Sequence, residues 1–289
     1  MDLRAIGIGL LFALIWSSAF TSARVIVEAA PPLMALALRF AISGGLALAV
    51  GAMLGQSFRL TRSQWISVIV FGICQNSLYL GLNFVAMQTV EASLAAIIAS
   101  TMPLIVGAAN WLIFREKLPL LGLVGLVAGF AGVAVIMAQR FGGGTDPVGI
   151  MLCMIAAVAL AVATLTMRGA SSNGGNLWVV IGLQMLVGSV ALIPPAAVFE
   201  TWVVTWSWPL VIAFIYTTLA PGLFATWIWF VLVGQIGATR AATFHFLNPF
   251  FGVVIAAVLL SEALTFADII GVIIIAGGIL AVQLSRVRS

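Results

Sequence analysis

The sequence predicts an all-α integral membrane protein with ten transmembrane helices arranged as two inverted five-helix repeats. Three observations carry this expectation: the scarcity of charge, the spacing of the charges present, and a match between the two halves of the chain. Of 289 residues, 63% are hydrophobic and 7% are charged, against about 25% charged in an ordinary soluble domain. Twelve Lys+Arg and eight Asp+Glu are too few to cover a globule of this size in water. A soluble fold is set aside, and most cytosolic enzyme readings go with it. The net charge of +4 reflects where positive loops sit in such a protein, so no nucleic-acid partner is expected. The expected partners are the lipid bilayer and a small-molecule substrate.

The charges leave ten charge-free windows, the shortest covering residues 269–285 and the longest 201–239. Each approaches or exceeds the roughly 17–25 residues that cross a bilayer as a helix. The apolar runs are continuous rather than alternating, which predicts helices and not a barrel. The expected spans are 5–23, 32–54, 65–87, 92–114, 119–138, 148–168, 178–198, 208–233, 240–260 and 266–284. Residues 1–23 resemble a secretory signal in outline, but with nine further spans they read as the first membrane helix. What lies between the spans is too short for a water-soluble unit, so 1–289 is read as a single transmembrane domain. Cys74 and Cys153 both fall mid-span and read as small apolar packing residues; no metal and no cofactor are expected.

Orientation follows from the cations. With the N-terminus inside, the cytoplasmic side receives Arg4, Arg59, Arg62, Arg115, Lys117, Arg168, Arg240, Arg286 and Arg288. The outside receives Arg24 and Arg140, and Arg39 lies within the second span. This positive-inside pattern places both termini in the cytoplasm and the protein in the plasma (inner) membrane.

An offset of 146 residues aligns the two halves without a gap from the third span onward, as repeat one (1–140) and repeat two (147–286). Ala92, Pro103, Glu116, Leu118, Gly125, Gly132 and Arg140 fall on Ala238, Pro249, Glu262, Leu264, Gly271, Gly278 and Arg286. Five spans per copy is an odd number, so the copies must cross in opposite directions. The charges obey: Arg59, Arg62, Arg115 and Lys117 correspond to Thr205, Trp208, Ser261 and Ala263. Inverted repeats are typical of secondary transporters.

These residues carry a family resemblance. Trp16-Ser17-Ser18-Ala19-Phe20 through Pro31-Pro32 to Arg39-Phe40 resembles the opening of EamA-type members of the drug/metabolite transporter superfamily. So do Pro103 to Glu116-Lys117-Leu118 with Gly125 and Gly132, and Pro249 to Glu262-Ala263-Leu264 with Gly271 and Gly278. The resemblance spans essentially the whole chain and implies ten helices, inverted repeats and efflux of small metabolites. Bacterial amino-acid exporters, aromatic amino-acid exporters among them, are similar. One departure is that the sixth span has no counterpart to Trp16.

Polar residues at membrane depth mark the candidate site. In the third span Gln75, Tyr79 and Asn83 recur on one helical face, with Asn76 beside it. Cavity lining is the expectation there, with interhelical hydrogen bonding as the competing role. The offset sets Pro221-Gly222 opposite Gln75-Asn76, and Trp229 opposite Asn83. A mid-membrane Pro-Gly frees backbone carbonyls that must find partners. Pro103 and Pro249, near the centres of spans four and nine, are hinge or packing residues. His245 and Asn248 share a face of the ninth span, as ligand donors, a proton-sensitive gate or a structural pair. Trp16 faces lipid, packs in the core or walls a site for apolar substrates. Trp65, Trp178, Trp202, Trp206 and Trp208 sit at span ends as belt residues. Arg39 either snorkels or pairs with Glu28 or Glu91, or binds a substrate carboxylate. Glu116 and Glu262 read as structural.

None of the eight acids lies mid-span, whereas ion-coupled carriers commonly use buried carboxylates. The expectation is an exporter of small amphipathic metabolites, amino acids foremost, working by alternating access without tight ion coupling and without enzymatic activity. Drug or nucleotide-sugar carriage, and proton-coupled exchange through His245, are the alternatives. Monomer and homodimer are not distinguished.

Overall fold

Continuous apolar runs without alternation fold here as helix throughout, with no strand among the described residues. The computed structural model describes residues 3–115, 118–142, 146–166, 175–236, 241 and 243–287. Glu116, Lys117, Arg168, Ala238, Arg240 and Arg288 lie outside them, as do the side chains of Arg140 and Arg286.

The spans are α1 (Leu3–Val27), α2 (Pro32–Met53), α3 (Arg62–Ala86), α4 (Ala92–Leu112) and α5 (Leu120–Gly142). They continue as α6 (Pro147–Thr166), α7 (Leu177–Phe199), α8 (Trp208–Ile236), α9 (Phe244–Leu260) and α10 (Phe266–Val287). Among the described residues nine of these are long and apolar enough to cross a membrane, and α9 is shorter because its expected start falls outside them. The fold is the all-α membrane bundle of about ten helices that the charge spacing predicts. Exposed apolar side chains such as Leu10, Leu14, Leu38, Ile42 and Leu46 face outward; lipid is their solvent, so this exposure carries no hydrophobic penalty.

Two helix pairs form the most extensive contacts, α2 with α7 and α5 with α10. Glycine makes both possible. A Cβ on Gly44 would sit 2.9 Å from the Gly182 carbonyl oxygen, and one on Gly125 would sit 2.7 Å from that of Gly278. Lipid gives little hydrophobic drive, so close backbone approach through small residues supplies the dispersion contacts.

The helix ends explain where the acids went. Glu200, just after α7, accepts the backbone N–H groups of Leu33 (2.6 Å) and Met34 (2.9 Å) at the start of α2. Gln56, just after α2, returns the arrangement by accepting from Trp178 (2.8 Å) and Val179 (3.4 Å) at the start of α7. Glu262 accepts from Ala92 (2.8 Å) and Ser93 (2.9 Å) at the start of α4. Asp146 takes Val148 and Gly149 N–H at the start of α6, and Asp268 exchanges hydrogen bonds with Thr265 at the start of α10. Each carboxylate meets the orphan donors and positive dipole end of a helix.

Candidate functional site

Spans three and eight are interrupted at matching places. In α3, Gly72–Tyr79 winds as a π-helix; in α8, Thr218–Phe224 does the same, with Pro221 inside it. The offset of 146 residues pairs Gly72 with Thr218. Spans four and nine are interrupted as well. The α-helix restarts at Met102 after a turn, and at Asn248 after a 3₁₀ segment, Thr243–Leu247. The same offset pairs Met102 with Asn248. Pro103 and Pro249 stand in the first turn of the restarted helices, where a missing N–H costs no hydrogen bond. π-segments recur at functional sites because they leave backbone groups out of the regular ladder.

A cavity lies against both π-segments. Its walls include Trp16, Phe20 and Ala23 of α1, Arg39 of α2, Tyr79, Asn83 and Phe84 of α3, Met87 just after α3, and Thr217 and Pro221 of α8. Its volume, counted as space for the centre of a water molecule, is about 40 Å³. About 10–15 Å³ on that measure holds one water, so a few waters fit while a metabolite with an apolar side chain needs the helices to part. Trp16, Arg39, Tyr79, Asn83 and Pro221, drawn from four spans, thus meet in one place.

Chemistry at the cavity follows from the break in α8. Pro221 has no N–H, so Thr217, four residues earlier, keeps a carbonyl without its α-helical donor. Arg39 Nε donates to that oxygen at 3.2 Å, and Ser43 Oγ donates to Thr218 O at 3.2 Å. Gly222 leaves the room: a Cβ there would lie 3.0 Å from Thr217 O and 3.4 Å from Arg39 Nη2. Arg39 is 4% exposed, and its guanidinium carbon is 5.1 Å from the Phe40 ring centroid. Neither Glu28 nor Glu91 forms an ion pair with it; Glu28 pairs instead with Arg24 at 2.6 Å. On α3, Asn83 Nδ2 donates to Tyr79 O at 2.8 Å, while the buried Asn83 Oδ1 has no partner among the described residues.

The other sequence candidates lie elsewhere. Asn76 donates to Gln184 O at 2.9 Å and packs on Gly188, so it holds α3 to α7. Gln75 is half-buried and outside the cavity wall. Trp229, His245 and Asn248 form a second cluster that touches the cavity through Trp16. Phe12 links them, with ring centroids 5.7 Å from Trp16, 5.0 Å from Trp229 and 5.5 Å from His245. Asn248 Nδ2 lies 2.8 Å from His245 Nδ1, and Ser17 Oγ donates to Asn248 Oδ1 at 3.4 Å. An amide nitrogen only donates, so Nδ1 accepts and the imidazole proton sits on Nε2. Phe12, Ser43 and Thr217 escaped the sequence reading. Their signals are helical spacing alone: Phe12 four before Trp16, Ser43 four after Arg39, and Thr217 four before Pro221.

The chain is similar to known proteins over its full length. The EamA-like transporter family matches it twice, at residues 3–138 and 147–284. "Uncharacterized transporter YvbV" of Bacillus subtilis is 28% identical, with 93% of this chain and 88% of that protein covered. "Uncharacterized inner membrane transporter YedA" of Escherichia coli is 25% identical, covering 96% and 90%. "Protein PecM" of Dickeya dadantii is 21% identical, covering 93% and 89%. A solved crystal structure superposes over 98% of each chain with a TM-score of 0.71 at 22% identity, a likeness of fold alone.

Proposed function

The chain belongs to the EamA-like transporter family, and from that premise we propose a secondary carrier that exports small amphipathic metabolites, amino acids foremost. The observation that carries this reading is the cavity built on two π-segments at offset-related positions. Discontinuous helices flanking a midplane site suit alternating access, because an interrupted helix can bend where its ladder is already broken. The cavity as it stands admits only a few waters, so loading requires those segments to move. Two copies of a five-helix unit, 1–140 and 147–286, running in opposite directions, account for interruptions that recur at one offset. The positive-inside pattern of the cations supports cytoplasmic termini, and the inner-membrane name of the Escherichia coli relative supports the plasma membrane.

Polar contacts fall to Arg39, Tyr79 and Asn83, and the apolar part of the cargo to Trp16, Phe20 and Phe84. Pro103, Pro221, Gly222 and Pro249 mark the bending points. Transport runs down the substrate gradient, since Glu200, Glu262, Asp146 and Asp268 meet helix starts and Glu28 pairs with Arg24, and no acid is among the described residues of the cavity wall. Uptake into proteoliposomes of the purified chain tests the reading, using a panel of radiolabelled amino acids with one cationic drug and one nucleotide sugar as contrasts. Saturable uptake of at least one amino acid is expected. Unsaturating flux, or movement of the drug or nucleotide sugar alone, overturns it.

A further inference from the structure

Arg39 is the charged member of the cavity wall, and it is nine-tenths buried without a counter-ion. Nε is engaged by Thr217 O at 3.2 Å, and the guanidinium rests near the Phe40 ring. Among the described residues, Nη1 and Nη2 have no acceptor and no carboxylate lies within ion-pair distance of the group. A guanidinium is always charged, and a buried charge is normally paired. Here the pairing is left to whatever enters the cavity.

The surroundings narrow what that is. A guanidinium offers a planar fork of N–H donors that matches a carboxylate with two parallel hydrogen bonds. Thr217 O uses the Nε donor and fixes the fork against the π-segment. Asn83 Oδ1, on the same cavity, is a buried acceptor with no donor. It suits an N–H or O–H borne by the cargo. The remaining wall is largely apolar, with the aromatic rings of Trp16, Phe20 and Phe84 beside aliphatic side chains, and takes an apolar tail. Among the described residues no acid lines the cavity, so a cation meets Arg39 with nothing there to offset the repulsion.

We infer that the cavity selects cargo carrying a carboxylate, an amphipathic organic acid or amino acid whose carboxylate sits on Nη1 and Nη2 of Arg39. The inference rests on the carrier function proposed above and gives it a charge requirement. Loaded with an organic-acid anion the site is neutral; a zwitterionic amino acid pairs its carboxylate with Arg39 and leaves the site at the single positive charge it has when empty. Replacing the carboxylate by a carboxamide removes the ion pair, and in an amino acid it also leaves a net cation beside Arg39.

The test uses the full-length chain in proteoliposomes, with L-phenylalanine, L-leucine, their carboxamides and 3-phenylpropanoate as competing cargoes. Thermal stabilisation of the detergent-solubilised protein by each compound is read in parallel. The three acids are expected to be bound and carried, and the carboxamides at least about a hundredfold less well, because a site built for one charged partner rejects analogues lacking it. Arg39→Gln is expected to cut that ratio below about tenfold, and Arg39→Lys, which keeps the charge but not the fork, to restore part of it. Equal handling of acids and carboxamides by the wild type overturns the inference while leaving transport standing. So does a folded Arg39→Gln protein that keeps the full preference. Should Arg39→Gln not fold, the wild-type comparison of acid and carboxamide decides alone. Absence of both uptake and stabilisation for every compound overturns the carrier reading, and this inference with it.

Discussion

Arg39 Nε donates to the carbonyl oxygen of Thr217 at 3.2 Å, and that carbonyl is the one Pro221 leaves without its α-helical donor. One residue without an N–H therefore organises the charged side of the cavity. It breaks the ladder of α8 into a π-segment, exposes an acceptor, and so holds a guanidinium that would otherwise have no anchor. Gly222, beside it, keeps the space open for that approach.

Pro221→Ala supplies the missing N–H. The expected result is a regular α8 in which Thr217 O is claimed by the helix and Arg39 loses its anchor. Uptake should fall at least about tenfold, equivalent to about 1.4 kcal/mol of transition-state stabilisation, while thermal stability holds or rises because a helix-breaking residue is gone. Amide hydrogen exchange across 217–224 should slow. Unchanged uptake with slowed exchange would separate the π-segment from function.

The glycine contacts make a second prediction with a built-in control. Gly125→Val and Gly278→Val each drive a side chain into the backbone of the facing helix, where a Cβ would lie 2.7 Å from a carbonyl oxygen. Gly277→Val, one residue away, meets nothing within 4 Å. The first two should lower stability by about 1–3 kcal/mol, the usual cost of overpacking, and the third by little. Thermal unfolding in detergent reads all three.

How much was legible beforehand depended on which physics the residues used. Charge spacing gave the ten spans to within a few residues, since hydrocarbon tolerates charge so poorly. The cavity residues Trp16, Arg39, Tyr79, Asn83 and Pro221 were visible as polar or aromatic groups at membrane depth. Their meeting was not visible, because it depends on how four helices pack. Asn76 shared the polar signal with Asn83 but serves the α3–α7 contact, and the sequence holds no sign of which way a neighbouring residue on one turn will face. The π-winding of Gly72–Tyr79 was hidden for a related reason: it contains no proline, so nothing local announces it. Glu262 read as structural, and its hydrogen bonds to Ala92 and Ser93 supply the reason.

The carboxylate caps predict local losses. Glu200→Ala leaves the N–H groups of Leu33 and Met34 unpaired, and Glu262→Ala does the same to Ala92 and Ser93. Each should cost about 0.5–2 kcal/mol, the range for losing an N-terminal cap. Glutamine keeps one acceptor and should recover part of it. Thermal midpoints of the four variants in detergent provide the check, and equal midpoints for alanine and wild type would remove the caps from the account.

Asp146 adds a pH dependence whose sign is fixed. The Thr89 hydroxyl and then the Val148 and Gly149 N–H groups hold its carboxyl below the ordinary range. A carboxyl depressed in the folded state contributes stability at pH values above its unfolded pKa, and that contribution fades as pH falls through the folded value. The stability gap between wild type and Asp146→Asn should therefore be widest above about pH 4 and close as the solution is acidified further. A gap that widens on acidification would contradict this.

Coupling is decided at His245. Its Nδ1 accepts from Asn248, and Asn248 Oδ1 in turn accepts from Ser17, an arrangement that suits a neutral imidazole within an aromatic cluster. A neutral, hydrogen-bonded imidazole needs no proton to hold its place, and protonation would put a donor on Nδ1 against the donor of Asn248. Uptake driven by a substrate gradient alone should therefore match uptake with an imposed proton or sodium gradient. His245→Ala removes a ring that packs on both Phe12 and Trp229 and should lower stability, because a cavity remains, without creating or abolishing a dependence on the proton gradient. Asn248→Ala should do the same more mildly. A wild-type carrier that requires a pH gradient, and loses that requirement with His245→Ala, would make this imidazole the coupling group and overturn the uncoupled mechanism.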